Sequence, residues 1–376
     1  RYLTLVFGAS LYALSAVLCA FMLGLGGGSW IMGQVLAKDR VSRRLLLWYG
    51  LFEGLIGLYA LCFPLGLELL EKIYPLILSA DGRAGFRLHV MQFILGTLLM
   101  LPATLLMGAT LPLVGCWAVH NQKDQVLSSL SCLYGWNTMG AVFGCLFTQF
   151  FAIQYWGVRG TIWTGVFLSI SVFTICLLFG RNIIRGYFQN SLDMDMEMRA
   201  KTKTLSDSDK AGVHFLIFVM FAYSGMASLS SEILWTRILV FPMGTTLYSF
   251  ALILTTFLSG IALGSLAAKR LLGKSNWVLK FILIEIVIGF ICIGILPLLE
   301  NLTEWTLLAD SFFYSLENSP EKTLFIRFLF AFGLMFFPAF GFGLLFPLAN
   351  QIYSLNVKSV SKAIGNIYSV NTFGGV

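Results

Sequence analysis

Three carboxylates sit inside stretches that are otherwise almost wholly apolar: Glu53 in LWYGLFEGLIGLY, Glu285 in KFILIEIVIGF and Glu232 in ASLSSEILWTR. A charged side chain at membrane depth costs about 2.5–3.5 kcal/mol on insertion scales, so it turns toward a partner or a water-filled cavity. Two chemistries fit Glu53 and Glu285: pairing with Lys or Arg from the basic loops nearby, or holding a cationic substrate or a coupled proton. Glu232 lies five residues before Arg237, and an ion pair between them is the expectation. Two matched dipeptides, Asn137-Thr138 and Asn371-Thr372, add amides and hydroxyls within apolar runs. Their default use is interhelical hydrogen bonding, and a cationic ligand site is the alternative. The seven cysteines form no CxxC pair and do not cluster with His89, His120 or His214. Neither a disulfide framework nor a metal site is expected.

The segments that must position these groups are set by composition. The 376 residues are 58% hydrophobic and only 11% charged, with a mean hydropathy of +0.83. Those proportions exclude a water-soluble fold. Apolar runs of roughly 20 residues, each able to cross the ~30 Å hydrocarbon core, recur throughout. The expected spans are approximately 4–27, 45–66, 89–115, 131–153, 160–180, 213–235, 244–267, 279–298 and 324–349, with the beginning of a tenth near 363. Pro102, Pro112, Pro338 and Pro347 are expected to kink or break their helices. Alternating the loops places 17 of the 25 Lys and Arg on one side, which is therefore read as cytoplasmic. The net charge of +7 reflects this topology and calls for no nucleic acid. The lipid bilayer is the expected environment. The polar stretch 181–212 reads as a cytoplasmic linker between a first helical repeat, 1–180, and a second, 213–376. Segments 67–88 and 298–323 are expected to form short amphipathic helices on the membrane surface.

The two halves repeat one another. Arg1–Tyr12 (RYLTLVFGASLY) aligns with Arg237–Tyr248 (RILVFPMGTTLY) at an offset of 236, which also superimposes Gly24 and Gly28 on Gly260 and Gly264. Glu53 meets Glu285, Pro102 meets Pro338, Pro112 meets Pro347, and YGWNTMG (134–140) meets YSVNTFG (368–374). The GxxxG pairs Gly24/Gly28, Gly260/Gly264 and Gly140/Gly144 are expected to be helix-packing surfaces. Both copies run in the same direction with basic loops in the same place, so the symmetry axis is expected along the membrane normal. Two six-helix halves of major-facilitator transporters are arranged in this way. The loop GSWIMGQVLAKDRVSRR (28–44) resembles the facilitator loop between helices 2 and 3, although its second Gly is missing. The alignment also implies a fragment. The first copy lacks a helix before Arg1, and the second stops within its fifth helix.

Taken together, SSEILWTR (230–237), LYSFALILTTFLSGIALGS (247–265), LPATLLMGATLPL (101–113), WGVRGT (156–161) and the paired Tyr-x-x-Asn-Thr-x-Gly segments resemble the membrane domain of fused membrane-bound spermidine synthases. In these bacterial proteins a facilitator-like bundle precedes a soluble aminopropyltransferase. The resemblance implies an all-α polytopic bundle in the bacterial inner membrane that anchors, and transports small cationic solutes for, an aminopropyltransferase domain elsewhere. The alternative is a non-transporting structural subunit packed against other membrane subunits. The chain itself carries no recognisable cofactor loop. GLGGGS (24–29) follows no strand, and no acidic residue stands about 20 positions on, so neither a cofactor nor catalysis is expected of this segment.

Overall fold

The structure, a computed structural model, describes residues 11–38, 44–79, 86–120, 126–187, 207–243, 247–273, 276–301, 304, 311, 320–355, 357 and 359–376. Among the described residues every regular element is helical. In chain order they are α1 (Leu11–Lys38), α2 (Leu45–Ser79), α3 (Phe86–His120), α4 (Val126–Phe147), a π turn (Thr148–Ala152), α5 (Ile153–Tyr187), α6 (Asp207–Met243), α7 (Leu247–Leu271), α8 (Trp277–Glu300), α9 (Pro320–Ser354) and α10 (Val360–Gly374). Among the described residues eight stretches are long and apolar enough to cross a membrane. One of them, Val126–Phe179, has 54 residues, or ~80 Å of helix, far more than one crossing needs. Its interruption is Gly157, at φ 65° and ψ −175°, a region open essentially only to glycine. The chain is thus an all-α polytopic membrane bundle.

The helices are unbroken at the prolines, where the sequence suggested kinks or breaks. α3 and α9 stay continuous across Pro102, Pro112, Pro338 and Pro347. The Tyr59 hydroxyl of α2 donates to the Leu99 carbonyl of α3 in the turn before Pro102. Residues 67–79 continue α2 without a break and form no separate surface helix. Of the expected linker, 181–187 belongs to α5 and 207–212 to α6, while 188–206 lie outside the described residues.

Two compact units emerge. One comprises Arg1–Trp117, Ile162–Ala222 and Asn356–Val376, the other Ala118–Thr161 and Tyr223–Leu355, so each draws helices from both copies of the repeat. In lipid there is little hydrophobic gain from helix association, and close packing at small residues substitutes for it. In the first unit, Gly24 and Gly28 of α1 face Thr104 and Leu105 of α3, and Gly108 answers against the Leu25 carbonyl. Gly50, Gly54 and Gly57 of α2 receive Cys176, Phe173 and Ser169 of α5. Gly33 of α1 and Gly365 of α10 meet so closely that a Cβ on Gly33 would stand 2.9 Å from the Gly365 Cα. In the second unit, Gly260 and Gly264 of α7 face Ala339 and Phe340 of α9, and Gly343 answers against the Ile261 carbonyl. Leu105 and Phe340 are repeat equivalents, as are Gly108 and Gly343, so the close backbone approach of α1 to α3 recurs between α7 and α9. Gly140 and Gly144 depart from the expectation. Neither has an atom within 4 Å of a Cβ placed on it, because they lie on the side of α4 opposite its buried stripe of Leu127, Ser131, Gly135, Thr138 and Val142.

Candidate functional site

Glu53 is half-buried on α2, where the glycines at 50, 54 and 57 let α5 approach closely. The Tyr49 hydroxyl, one turn earlier, is its hydrogen-bonding partner. Glu285, the repeat mate, is half-buried on α8 and is met by the Ser224 hydroxyl of α6. Its Oε1 is buried with no hydrogen-bond partner. Hydroxyls rather than cations therefore hold both carboxylates, and among the described residues no Lys or Arg pairs with either. Lys280, five positions before Glu285 on α8, is engaged otherwise. Its Nζ donates to the Leu272 carbonyl just past the end of α7 and sits 5.3 Å over the Trp277 ring. A cation there complements the negative end of the α7 dipole.

The expected Glu232–Arg237 ion pair is not seen among the described residues. Five positions along one helix place the two side chains roughly 140° apart around its axis, on different faces. Arg237 is exposed and Glu232 half-buried. Nor do Thr138 and Thr372 bond between helices. Thr138 Oγ1 donates to the Tyr134 carbonyl at 2.8 Å and Thr372 Oγ1 to the Tyr368 carbonyl at 2.7 Å. The nearest acceptor for a hydroxyl in a lipid-embedded helix is its own i−4 carbonyl. Asn137 is exposed on α4 and Asn371 half-buried on α10. No hydrogen bond joins any two of Glu53, Glu285, Asn137 and Asn371 among the described residues. Searched over the same residues, no three His, Cys, Asp or Glu side chains come together as a metal site would require.

The polar contacts that do join helices lie on seams that composition did not single out. In the first unit, Ser29 Oγ of α1 donates to the Gly365 carbonyl of α10 at 3.4 Å, and Gln34 Nε2 donates to Asn366 Oδ1 at 3.1 Å. In the second, Ser265 Oγ of α7 donates to the Ser131 carbonyl of α4 at 3.1 Å. The Leu127 amide at the start of α4 donates to Gln351 Oε1 of α9 at 2.8 Å. Ser29 and Ser265 are 236 apart, and Ser131 and Gly365 are 234 apart, so the two serine bonds are copies of one another. The signal was available: a serine recurs at the repeat offset within an apolar helix. Nearby, Asn350 of α9 is fully buried. Its Nδ2 donates to the Phe346 carbonyl at 2.9 Å, while its Oδ1 has no partner.

The arrangement offers half-buried carboxylates with hydroxyl partners and two seams of small polar contacts, all within apolar helices. No family profile, curated protein or solved structure matches the chain.

Proposed function

We propose that the chain is the solute-translocating membrane domain of a spermidine-synthase-related protein, built on the major-facilitator plan and handling small cationic solutes. The observation that carries this reading is the duplicated serine bond. Each copy joins a helix of one sequence repeat to a helix of the other, the reciprocity that two repeats related by a two-fold axis produce. The single hydroxyl bonds on these seams add little to what holds the helices together, since such membrane hydrogen bonds average ~0.6 kcal/mol. They can open without a large cost. Glu53 and Glu285 supply the charge preference. A carboxylate held by a hydroxyl remains able to accept an ammonium group, whereas one already paired with Lys or Arg does not.

The test is uptake of radiolabelled putrescine and spermidine into proteoliposomes containing the purified chain. The expected result is saturable uptake above protein-free vesicles, reduced at least about tenfold by Glu53→Gln or Glu285→Gln. Uptake no greater than that of empty vesicles under an imposed proton or voltage gradient would overturn the reading. A structural role within a larger membrane assembly is favoured by one specific feature, the uncovered Gly140/Gly144 face of α4. Under that reading the purified chain moves no amine, and neither substitution changes its behaviour.

A further inference from the structure

We propose that a single buried water bridges Asn350 of α9 to Ser131 of α4 within the second unit, donating one hydrogen to Asn350 Oδ1 and the other to Ser131 Oγ. Asn350 is 0% exposed. Its Nδ2 is satisfied by the Phe346 carbonyl one turn back on its own helix, while its Oδ1 is buried with no partner. Neighbouring contacts fix where the amide points. Phe346 meets the Tyr134 ring of α4 with centroids 4.2 Å apart, and Gly343 lies against the Ile261 carbonyl of α7. At about 100° per residue Asn350 falls between those two directions, at the junction of α4, α7 and α9. Its height is fixed as well. Phe346 is level with Tyr134, and Gln351 Oε1 accepts from the Leu127 amide, so Asn350 stands against the turn of α4 from Leu127 to Ser131. The buried residues of that turn are Leu127, Leu130 and Ser131, which makes Ser131 its one buried polar side chain. Ser131 Oγ donates its hydrogen to the Leu127 carbonyl at 2.6 Å and keeps lone pairs with which to accept.

Two acceptors meet at this junction, so the ligand must donate twice. Left bare, Oδ1 would carry the desolvation penalty of an unpaired buried group, about 1–3 kcal/mol. A water supplies both hydrogens, and two polar partners suffice to hold one in a protein interior. A cation would meet the same oxygens, but α4 and α7 contain no Asp or Glu and α9 only Glu321, near its start. An uncompensated charge in a dry interior costs far more than a neutral molecule. The other copy of the repeat supports the pairing. Asn350 corresponds to Gly115 at offset 235, and Ser131 to Gly365 at offset 234. The amide and the hydroxyl are thus present together in one unit and absent together from the other. The bridge ties the two repeats on one seam only, whether or not the chain moves a solute.

X-ray hydroxyl-radical footprinting of the purified chain is the test, because a trapped water yields radicals that mark side chains bulk solvent does not reach. The expected result is oxidation of Leu130 or Phe346, both buried, falling at least about fivefold in Ser131→Ala and in Asn350→Leu. Thermal unfolding gives a second readout. Asn350→Leu should lower the midpoint by about 2–4 °C, and adding Ser131→Ala should lower it little further, since both changes remove the same bridge. If Asn350→Leu does not fold, footprinting of Ser131→Ala decides alone. A raised midpoint in Asn350→Leu, the response of a bare Oδ1, would overturn the proposal. So would a parent unoxidised at both residues, or oxidation indifferent to both variants. A midpoint that rises in sodium or potassium over choline at equal ionic strength would assign a cation instead, with the same consequence.

Discussion

A methyl group added at Gly28 would overlap the Leu105 carbonyl, and one at Gly264 would overlap the Phe340 carbonyl. Backbone cannot yield as a flexible side chain does, so Gly28→Leu and Gly264→Leu should each destabilise the purified protein by about 1–3 kcal/mol. The effects should be similar, because the contacts are repeat equivalents. Gly140→Leu, facing open space, should fall within about 0.5 kcal/mol of the parent. Thermal unfolding in detergent, followed by intrinsic tryptophan fluorescence, distinguishes these outcomes. Equal sensitivity at all three positions would contradict the described packing. Ser29→Ala and Ser265→Ala form a second matched pair. Each should cost ~0.6 kcal/mol by the same measurement, with the double variant additive, because each removes one interhelical bond from a separate seam.

Among the elements, α5 carries an internal break that depends on one residue. Gly157→Ala forces a side chain into φ 65°, ψ −175°, which should cost about 1–3 kcal/mol and appear as faster limited proteolysis between residues 148 and 162. An unchanged digestion pattern would mean that the break is not imposed at Gly157. This break was legible in the sequence, since WGVRGT interrupts the apolar pattern. So were the apolar spans themselves, because length and composition alone decide which segments can enter hydrocarbon. At Pro102, Pro112, Pro338 and Pro347 the expected breaks do not occur, since in a membrane helix neighbouring groups can satisfy a freed carbonyl, which a one-dimensional pattern does not show. The Glu232–Arg237 pairing failed on helical geometry, five residues being the wrong spacing. The carboxylates at 53 and 285 were found as intruders in apolar runs. Their hydroxyl partners Tyr49 and Ser224 were not, because Ser224 reaches Glu285 from another helix. Small residues became informative only as pairs, through the repeat offset that matches Gly28 to Gly264 and Ser29 to Ser265.

At the scale of the whole molecule, the distribution of Lys and Arg predicts that the loops at 38–44 and 269–280 share the cytoplasmic face. Single cysteines placed by Ser42→Cys and Ser275→Cys should resist a membrane-impermeant maleimide in right-side-out vesicles and react in inverted ones. Labelling of both from outside would reverse the topology. The described contacts also join residues remote in sequence. Ser29 bonds to the Gly365 carbonyl across 336 positions, and Ser265 to the Ser131 carbonyl across 134. Neither compact unit is one continuous segment of the chain. This has a consequence for biosynthesis. A ribosome adding about 5–20 residues per second needs roughly 17–67 s to supply the acceptor for Ser29, and roughly 7–27 s to supply the donor for Ser131. During that interval Ser29 and Gly33 of α1 and Ser131 of α4 stand in the bilayer without the partners they later meet. Nascent chains halted after α5 should therefore be bound by the insertion machinery and sensitive to protease, and chains extended through α10 should be released and resistant.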